Sequence, residues 1–270
     1  MRWTPPPRRL ALVTGASSGI GAAFARHLAR QGFDLAITAR RADRLELLAT
    51  ELRRGGAEAL VLPDDLASAG AADRLLGAVA ERGRTVDVLI NNAGYGLPGA
   101  YARTGWAEQA AVLQLMLVSV CELTHKSLPG MLERRYGRIV NVASLAGLIP
   151  GAAGHTLYAG TKSFLIKFSQ SLHLETRGTG VEASALCPGF TWSEFHDANG
   201  TRERVTAGTP AWAWQTAEAV VAEGWRGVEA GRAVVVPGGP NRAIAALAKA
   251  LPDALALRIM ARNSARIREP

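Results

Sequence analysis

The chain has 270 residues, 48% of them hydrophobic, with a formal net charge of +8 and two cysteines. That length and apolar content allow one large domain with a sizeable core, and they exclude a disordered chain, a disulfide scaffold or a cysteine-rich zinc module. The positive charge is spread over many segments with little aromatic interleaving, so it reads as a solvated surface that attracts a phosphorylated cofactor and not as a nucleic-acid interface.

Arginines, an apolar run and small residues between Arg2 and Ala25 give the N-terminus a superficial likeness to a secretory leader, but three prolines and a glycine turn interrupt it. No run approaches the roughly 18 apolar residues of a membrane span. The two separated thiols, Cys121 and Cys187, fit a reducing compartment, which makes cytoplasm the expected location. Residues 1–9 read as a flexible tail, 10–240 as one domain and 241–270 as a helical extension of it.

The first element is an apolar run, residues 10–13, that reads as a buried strand. It ends in a turn with glycines at Gly15, Gly19 and Gly21, and an amphipathic helix reopens near Gly19. Such a strand, turn and helix point free backbone N–H groups and a positive dipole end at one place, where a dinucleotide pyrophosphate can sit. Ser17, Ser18 and Ile20 line that turn. A plain strand-to-helix connection has the same spacing, so the rest of the chain decides.

Residues 34–39 predict the second strand, and Arg40 and Arg41 follow it. A side chain at that point meets the adenosine ribose. A guanidinium there pairs with a 2′-phosphate, whereas NAD calls for a carboxylate, so NADP is expected over NAD, with Arg40 the first choice and Arg41 or Arg44 sharing the work. Residues 57–62 predict the third strand, closed by Pro63, Asp64, Asp65 and Leu66. An aspartate there lies along the adenine crevice or caps the next helix; the sequence leaves both open. After a fourth strand at 86–90, Asn91, Asn92, Ala93 and Gly94 place amides that can tie strands and small residues that let a cofactor approach.

A long helical stretch is predicted from about 107 to 134, a fifth strand over 138–143, and a long helix from about 156 to 177. Continuous apolar strands alternating with helices predict an α/β, Rossmann-type, doubly wound parallel sheet of about seven strands in a three-layer α/β/α sandwich. Ser144 closes the fifth strand, and Tyr158 and Lys162, four apart, share one helix face. An ammonium near a phenol favours the phenolate, which suits the tyrosine to acid–base work near neutrality, while a serine hydroxyl can polarise a substrate oxygen.

The motifs Thr14-Gly15-x-x-x-Gly19-Ile20-Gly21, Asn91-Asn92-Ala93-Gly94, Ser144, Tyr158-x-x-x-Lys162 and Cys187-Pro188-Gly189 stand in order and near family spacing, so residues 10–236 resemble the short-chain dehydrogenases/reductases. The resemblance implies a nicotinamide cofactor and hydride transfer between its C4 and a carbonyl carbon, with no metal. It implies Tyr158 as proton donor or acceptor, Ser144 positioning the substrate oxygen, and Lys162 lowering the tyrosine pKa and holding the nicotinamide ribose. It implies assembly as a homodimer or homotetramer through the helix that carries Tyr158. Pro188, Gly189 and a hydroxyl, here Ser193 with Thr191 nearby, are expected to hold the carboxamide.

Two departures stand out. Family members carry an asparagine on the helix before the fifth strand; counting back from Leu128-Pro129-Gly130-Met131 lands on Met116, with Ser119 the nearest polar side chain. A thioether donates no hydrogen bond, so the relay is either rebuilt from Ser119 and backbone carbonyls or slower. The loop before Tyr158 is also one residue longer, which brings Gly151, Gly154 and His155 beside the substrate or leaves them at the surface. Beyond Gly189, residues up to Pro210, with Phe190, Phe195, His196 and Asn199, read as a substrate-covering lid, to which Trp212, Trp214 and Met116 lend apolar contacts or which they leave to pack the core. The tail's stripe of Ile244, Leu247, Ala248, Leu251, Leu255, Ile259 and Met260 reads as a packing face for protein before membrane.

The leading expectation is an NADP-dependent reductase or dehydrogenase of a lipophilic ketone, aldehyde or secondary alcohol. Two alternatives stay open: a cofactor-binding scaffold or sensor that has lost turnover, and an NADP-dependent epimerase or dehydratase on the same fold.

Overall fold

The computed structural model describes residues 8–154, 156–195, 200 and 202–264. Seven strands form one sheet: β1 (Leu10–Thr14), β2 (Asp34–Ala39), β3 (Ala59–Pro63), β4 (Val86–Asn91), β5 (Gly137–Val142), β6 (Val181–Leu186) and, numbered after a small outlying pair, β9 (Val234–Val235). Their order is β3-β2-β1-β4-β5-β6-β9, and each neighbouring pair is parallel. Parallel strands covered on both faces need continuous apolar sequence, and Leu10-Ala11-Leu12-Val13-Thr14 is buried throughout. The order reverses between β1 and β4, which opens a crevice at their carboxyl ends.

On one face lie α1 (Gly19–Arg30), α2 (Ala42–Arg54) and α8 (Ala217–Glu229), joined in one core cluster. Phe24 and Leu28, a turn apart and fully buried, seat α1 on the sheet; each contributes about 2 kcal/mol of burial. On the other face lie α3 (Ala71–Ala80), α5 (Ser119–Glu133) and α6 (Thr156–Glu175). The residues between β6 and α8 are not a bare loop: they hold the short parallel pair β7 (Thr191–Trp192) and β8 (Gln215–Thr216) and the helix α7 (Arg202–Gly208).

The long helical stretch expected from about 107 to 134 stands at Trp106–Glu133 and carries a π-helical turn. It consists of α4 (Trp106–Leu113), a π-helical turn (Gln114–Val118) and α5. Such turns insert one extra residue into a helix and are frequent at functional sites, and the buried residue of this one is Met116. Among the described residues, the helical stretch Trp106–Glu133 is long and apolar enough to cross a membrane by length and composition. Its Val112, Met116, Val120, Leu123 and Met131 are buried, as in a core helix.

Arg8 and Arg9 are held at the amino ends of the strands: Arg8 Nη1 donates to the Gly56 carbonyl at 2.7 Å, and the Arg9 guanidinium lies 3.6 Å from the Tyr136 ring centre. The chain ends in α9 (Gly239–Ala250) and α10 (Asp253–Ser264). Ile244, Leu247, Leu255 and Ile259 of the expected stripe stand exposed, and Asn241 is the buried anchor of α9. Its Nδ2 donates to Gln215 Oε1 at 2.9 Å and to the Pro237 carbonyl at 2.8 Å.

Candidate active site

The glycine turn is stitched to the bend after β4. Thr14 Oγ1, at the end of β1, donates to the Ile90 carbonyl at 3.1 Å and accepts from the Asn92 and Ala93 amides at 2.9 and 3.0 Å. Asn92 Nδ2 returns bonds to the Thr14 and Gly15 carbonyls at 2.9 and 3.2 Å. Gly15 and Gly19 sit at φ +66° and +53°, where a side chain is strained, and a Cβ at Gly21 would run into the Gly15 carbonyl oxygen. Ser18 stands at the N-cap of α1 with no side-chain bond to the helix backbone, and no acidic residue stands in the first turn, with Ile20 following. This bare backbone cradle at a helix N-terminus fits a dinucleotide pyrophosphate.

Past β2, the side chain folded over the cradle is Arg41 and not the first choice, Arg40. Arg41 Nη2 donates to Ser17 Oγ and Ser18 Oγ, each at 3.0 Å, while Nη1 donates to Glu194 Oε2 at 2.8 Å. Arg40 is exposed, and its charge is felt by Tyr95 along with that of Asp65. Asp65 Oδ1 accepts from the Ala67 amide at 3.0 Å, a local turn, while Asp64 takes two bonds from Arg74. Leu66 is buried in the core.

Ser144, Tyr158 and Lys162 converge. Ser144 caps a short 3-10 turn, accepting from the Ala146 amide at 3.1 Å, and the next residue, Leu145, donates its amide to the Pro188 carbonyl at 2.8 Å. Gly147 lets that turn press on α6: a Cβ there would lie 2.6 Å from the Lys162 carbonyl carbon. Burial pushes the Tyr158 phenol up to about 12, and a hydrogen bond from Ser144 works in the opposite direction. Lys162, buried, is pushed down to about 8 by desolvation and donates from Nζ to the Val142 carbonyl at 2.8 Å.

The expectation that Lys162 pulls the Tyr158 pKa down is therefore not met in this arrangement. The ammonium stands 5.6 Å from the ring centre and donates one of its three N–H groups to Val142, and burial of the phenol dominates.

Met116 takes the place expected of a polar relay residue. A Cβ on Gly94 would lie 2.9 Å from its Sδ and 3.8 Å from Lys162 Nζ, so thioether, glycine and ammonium form one layer. Ser119 does not rebuild the relay with its hydroxyl: Oγ donates back to the Leu115 carbonyl at 2.7 Å. Behind this layer a buried chain crosses the sheet. Asn91 Nδ2 donates to Thr124 Oγ1 at 3.2 Å and Asn141 Oδ1 at 2.8 Å, and Asn141 Nδ2 donates to Ser169 Oγ at 2.9 Å.

Beyond β6, Gly189 abuts the Asn241 side chain, which leaves no room for a Cβ. Thr191 Oγ1 donates to the Gly189 carbonyl at 3.1 Å. Phe190 and Trp192 both pack on Trp214, at ring separations of 5.4 and 4.1 Å, while Trp212 is exposed. Ser193 lies against the glycine turn, its Cβ 2.9 Å from where a Cβ on Gly19 would be, and Phe195 packs 5.7 Å from the Tyr158 ring. His155, His196 and Asn199 lie outside the described residues. Among the described residues no group of His, Cys, Asp and Glu could hold a metal ion.

Sequence reasoning passed over Thr14 as a clamp, Gly147 as a point of close approach, Tyr95 as a pocket wall and Glu194. The threonine before the glycine turn was a readable signal; nothing in the sequence marked Glu194.

The sequence pattern of the short chain dehydrogenase family matches residues 9–204. A putative ketoacyl reductase of Streptomyces coelicolor is 40% identical over 183 residues, 67% of this chain and 70% of that protein. The ketoacyl reductase HetN of Nostoc is 36% identical over 179 residues, 66% of this chain; the chain thus spans 62% of the length of HetN, less than two thirds. A short-chain dehydrogenase of Sphingobium yanoikuyae, solved with NADPH, superimposes with a TM-score of 0.77 at 28% identity, covering 91% of this chain and 97% of that one. Another structure of this fold, from Burkholderia phymatum, holds NAD. The chain belongs to the short-chain dehydrogenase/reductase family. Its class is that of an oxidoreductase acting on CH–OH and keto groups with a nicotinamide cofactor.

Proposed function

We propose that the protein is an NADP(H)-dependent reductase or dehydrogenase of a lipophilic ketone, aldehyde or secondary alcohol, with Tyr158 as general acid and base. The observation that carries this reading is the hydrogen-bonded pair Ser144 and Tyr158 beside buried Lys162, at a recess lined by Tyr95, Leu97, Val112, Met116 and Leu157. The nicotinamide ring, when bound, supplies or takes the hydride. Ser144 holds the substrate oxygen, Tyr158 gives that oxygen a proton in reduction and takes it back in oxidation, and Lys162 holds the nicotinamide ribose. The recess offers hydrocarbon and a thioether from Leu97, Val112, Met116 and Leu157 beside the polar groups of Thr104, Gln109 and Thr156, and its apolar wall supports apolar substituents on the carbonyl.

Arg41, with Ser17 and Ser18, supports the choice of NADP over NAD, because three donors converge where the adenosine 2′-phosphate would lie. Unpaired Cys121 and Cys187 fit a cytoplasmic protein. Exposed Phe164 and Leu174 on α6 suit a homodimer or homotetramer formed through that helix.

A second reading, a cofactor-binding sensor without turnover, is favoured by Met116, which offers no proton relay. NADPH oxidation followed with ketones of graded size and polarity separates the two. Turnover on apolar ketones that Tyr158→Phe abolishes supports the reductase; binding of NADPH with no turnover on any carbonyl supports the sensor.

A further inference from the structure

The Glu194 carboxylate lies in a nest of donors. Arg41 Nη1 donates to it at 2.8 Å, Arg44 Nη1 stands 3.6 Å away, and Ser18 donates to it as well. The same guanidinium reaches both serines of the glycine turn. The Arg41 hydrogen bond, more than any other contact, holds the carboxyl below the usual range, so it is an anion at neutral pH. Its neighbours are placed with it: Ser193 presses on Gly19, and Phe195 packs on the Tyr158 ring. Three consecutive side chains therefore touch the pyrophosphate turn, the second-strand arginine and the acid–base tyrosine. Arg202, reaching from α7 to the Ser193 carbonyl, fixes the segment from outside.

We propose that Glu194 is a cofactor-selecting residue: its carboxylate competes with an adenosine 2′-phosphate for Arg41 and the Ser18 hydroxyl. This rests on the NADP reading above. A ligand that brings its own 2′-phosphate replaces the carboxylate charge for charge and frees residues 193–195. A ligand without one leaves the Arg41–Glu194 pair standing. Removing the glutamate charge thus benefits 2′-phosphorylated ligands selectively.

The test compares 2′,5′-ADP with 5′-AMP by calorimetric titration of the intact chain, as wild type, E194Q and E194D. In the wild type, tighter binding of 2′,5′-ADP than of 5′-AMP tests the NADP reading by itself. In E194Q the ratio of the two affinities rises about two- to five-fold, the scale of a part-exposed ion pair, and E194D lies between. Hydrogen exchange supplies a second readout: 2′,5′-ADP speeds exchange of the 193–195 amides in the wild type, and 5′-AMP does not. An unchanged or falling ratio in E194Q, or unaltered exchange, overturns the role of Glu194 while leaving the NADP reading intact. No preference for 2′,5′-ADP in either the wild type or E194Q overturns both.

Discussion

The Met116 thioether rests against Gly94, in one layer with the Lys162 ammonium, so a hydrocarbon-like side chain forms the wall beside the tyrosine. Met116→Ala should hollow that wall, since the residue is buried and its neighbours are fixed by strand and helix. The expected result is a loss of about 2–4 kcal/mol in urea unfolding, together with a lower KM for bulkier ketones relative to small ones. Unchanged stability and an unchanged substrate profile would place Met116 away from both core and pocket.

Tyr158→Phe removes the proton while keeping the ring that Phe195 packs against. Turnover should fall by roughly 10²- to 10⁴-fold while NADPH binding, followed by cofactor fluorescence, changes little. Ser144→Ala should act on the same step, and the double variant should lose less than the product of the two, because the side chains share one hydrogen bond.

Lys162 makes stability depend on pH. Its folded pKa is near 8 against an ordinary 10.5, so between those values the unfolded chain holds a proton that the folded chain has given up. More protons on the unfolded side means that stability rises with pH in that window, by an amount on the order of 1–3 kcal/mol. Cys187 and Tyr158, both pushed up to about 12 by burial, act the other way above their ordinary values of 9.0 and 10.0. Subtracting the denaturation curves of Lys162→Met from the wild type isolates the lysine. A difference that stays flat from pH 7.5 to about 9.5 would contradict the assignment.

Asn141 is fully buried, bonded to Asn91 on one side and Ser169 on the other. Asn141→Ala strands both partners, and a cost of about 1–3 kcal/mol should appear in thermal unfolding. Asn141→Leu, which fills the space without satisfying the amide, should recover little of it.

Local signals made most of the fold readable. Apolar runs, their spacing and the glycine turn placed β1, β2 and α2 within a residue of where they stand, because each needs only its own chain to declare itself. The convergence of Ser144, Tyr158 and Lys162 was readable for the same reason: one lies at a strand end and two lie on one helix face. What escaped depends on distance. Nothing near Glu194 says that it reaches Arg41 across 153 positions, and nothing near Gly147 says that a helix backbone passes there. The π-helical turn at Met116 follows from how a helix is fitted between sheet and pocket, which no window of sequence contains. The pKa of Tyr158 was misjudged because a four-residue spacing gives proximity but not solvent, and solvent exclusion decided the sign.

The grip of Asn241 on Gln215 and Pro237, with its side chain filling the space above Gly189, makes the last two helices more than an appendage. It buttresses from behind the wall against which a nicotinamide would lean. Trimming the chain before Asn241 would let that wall sag, so a shortened protein could keep its glycine turn and yet grip the reactive ring poorly.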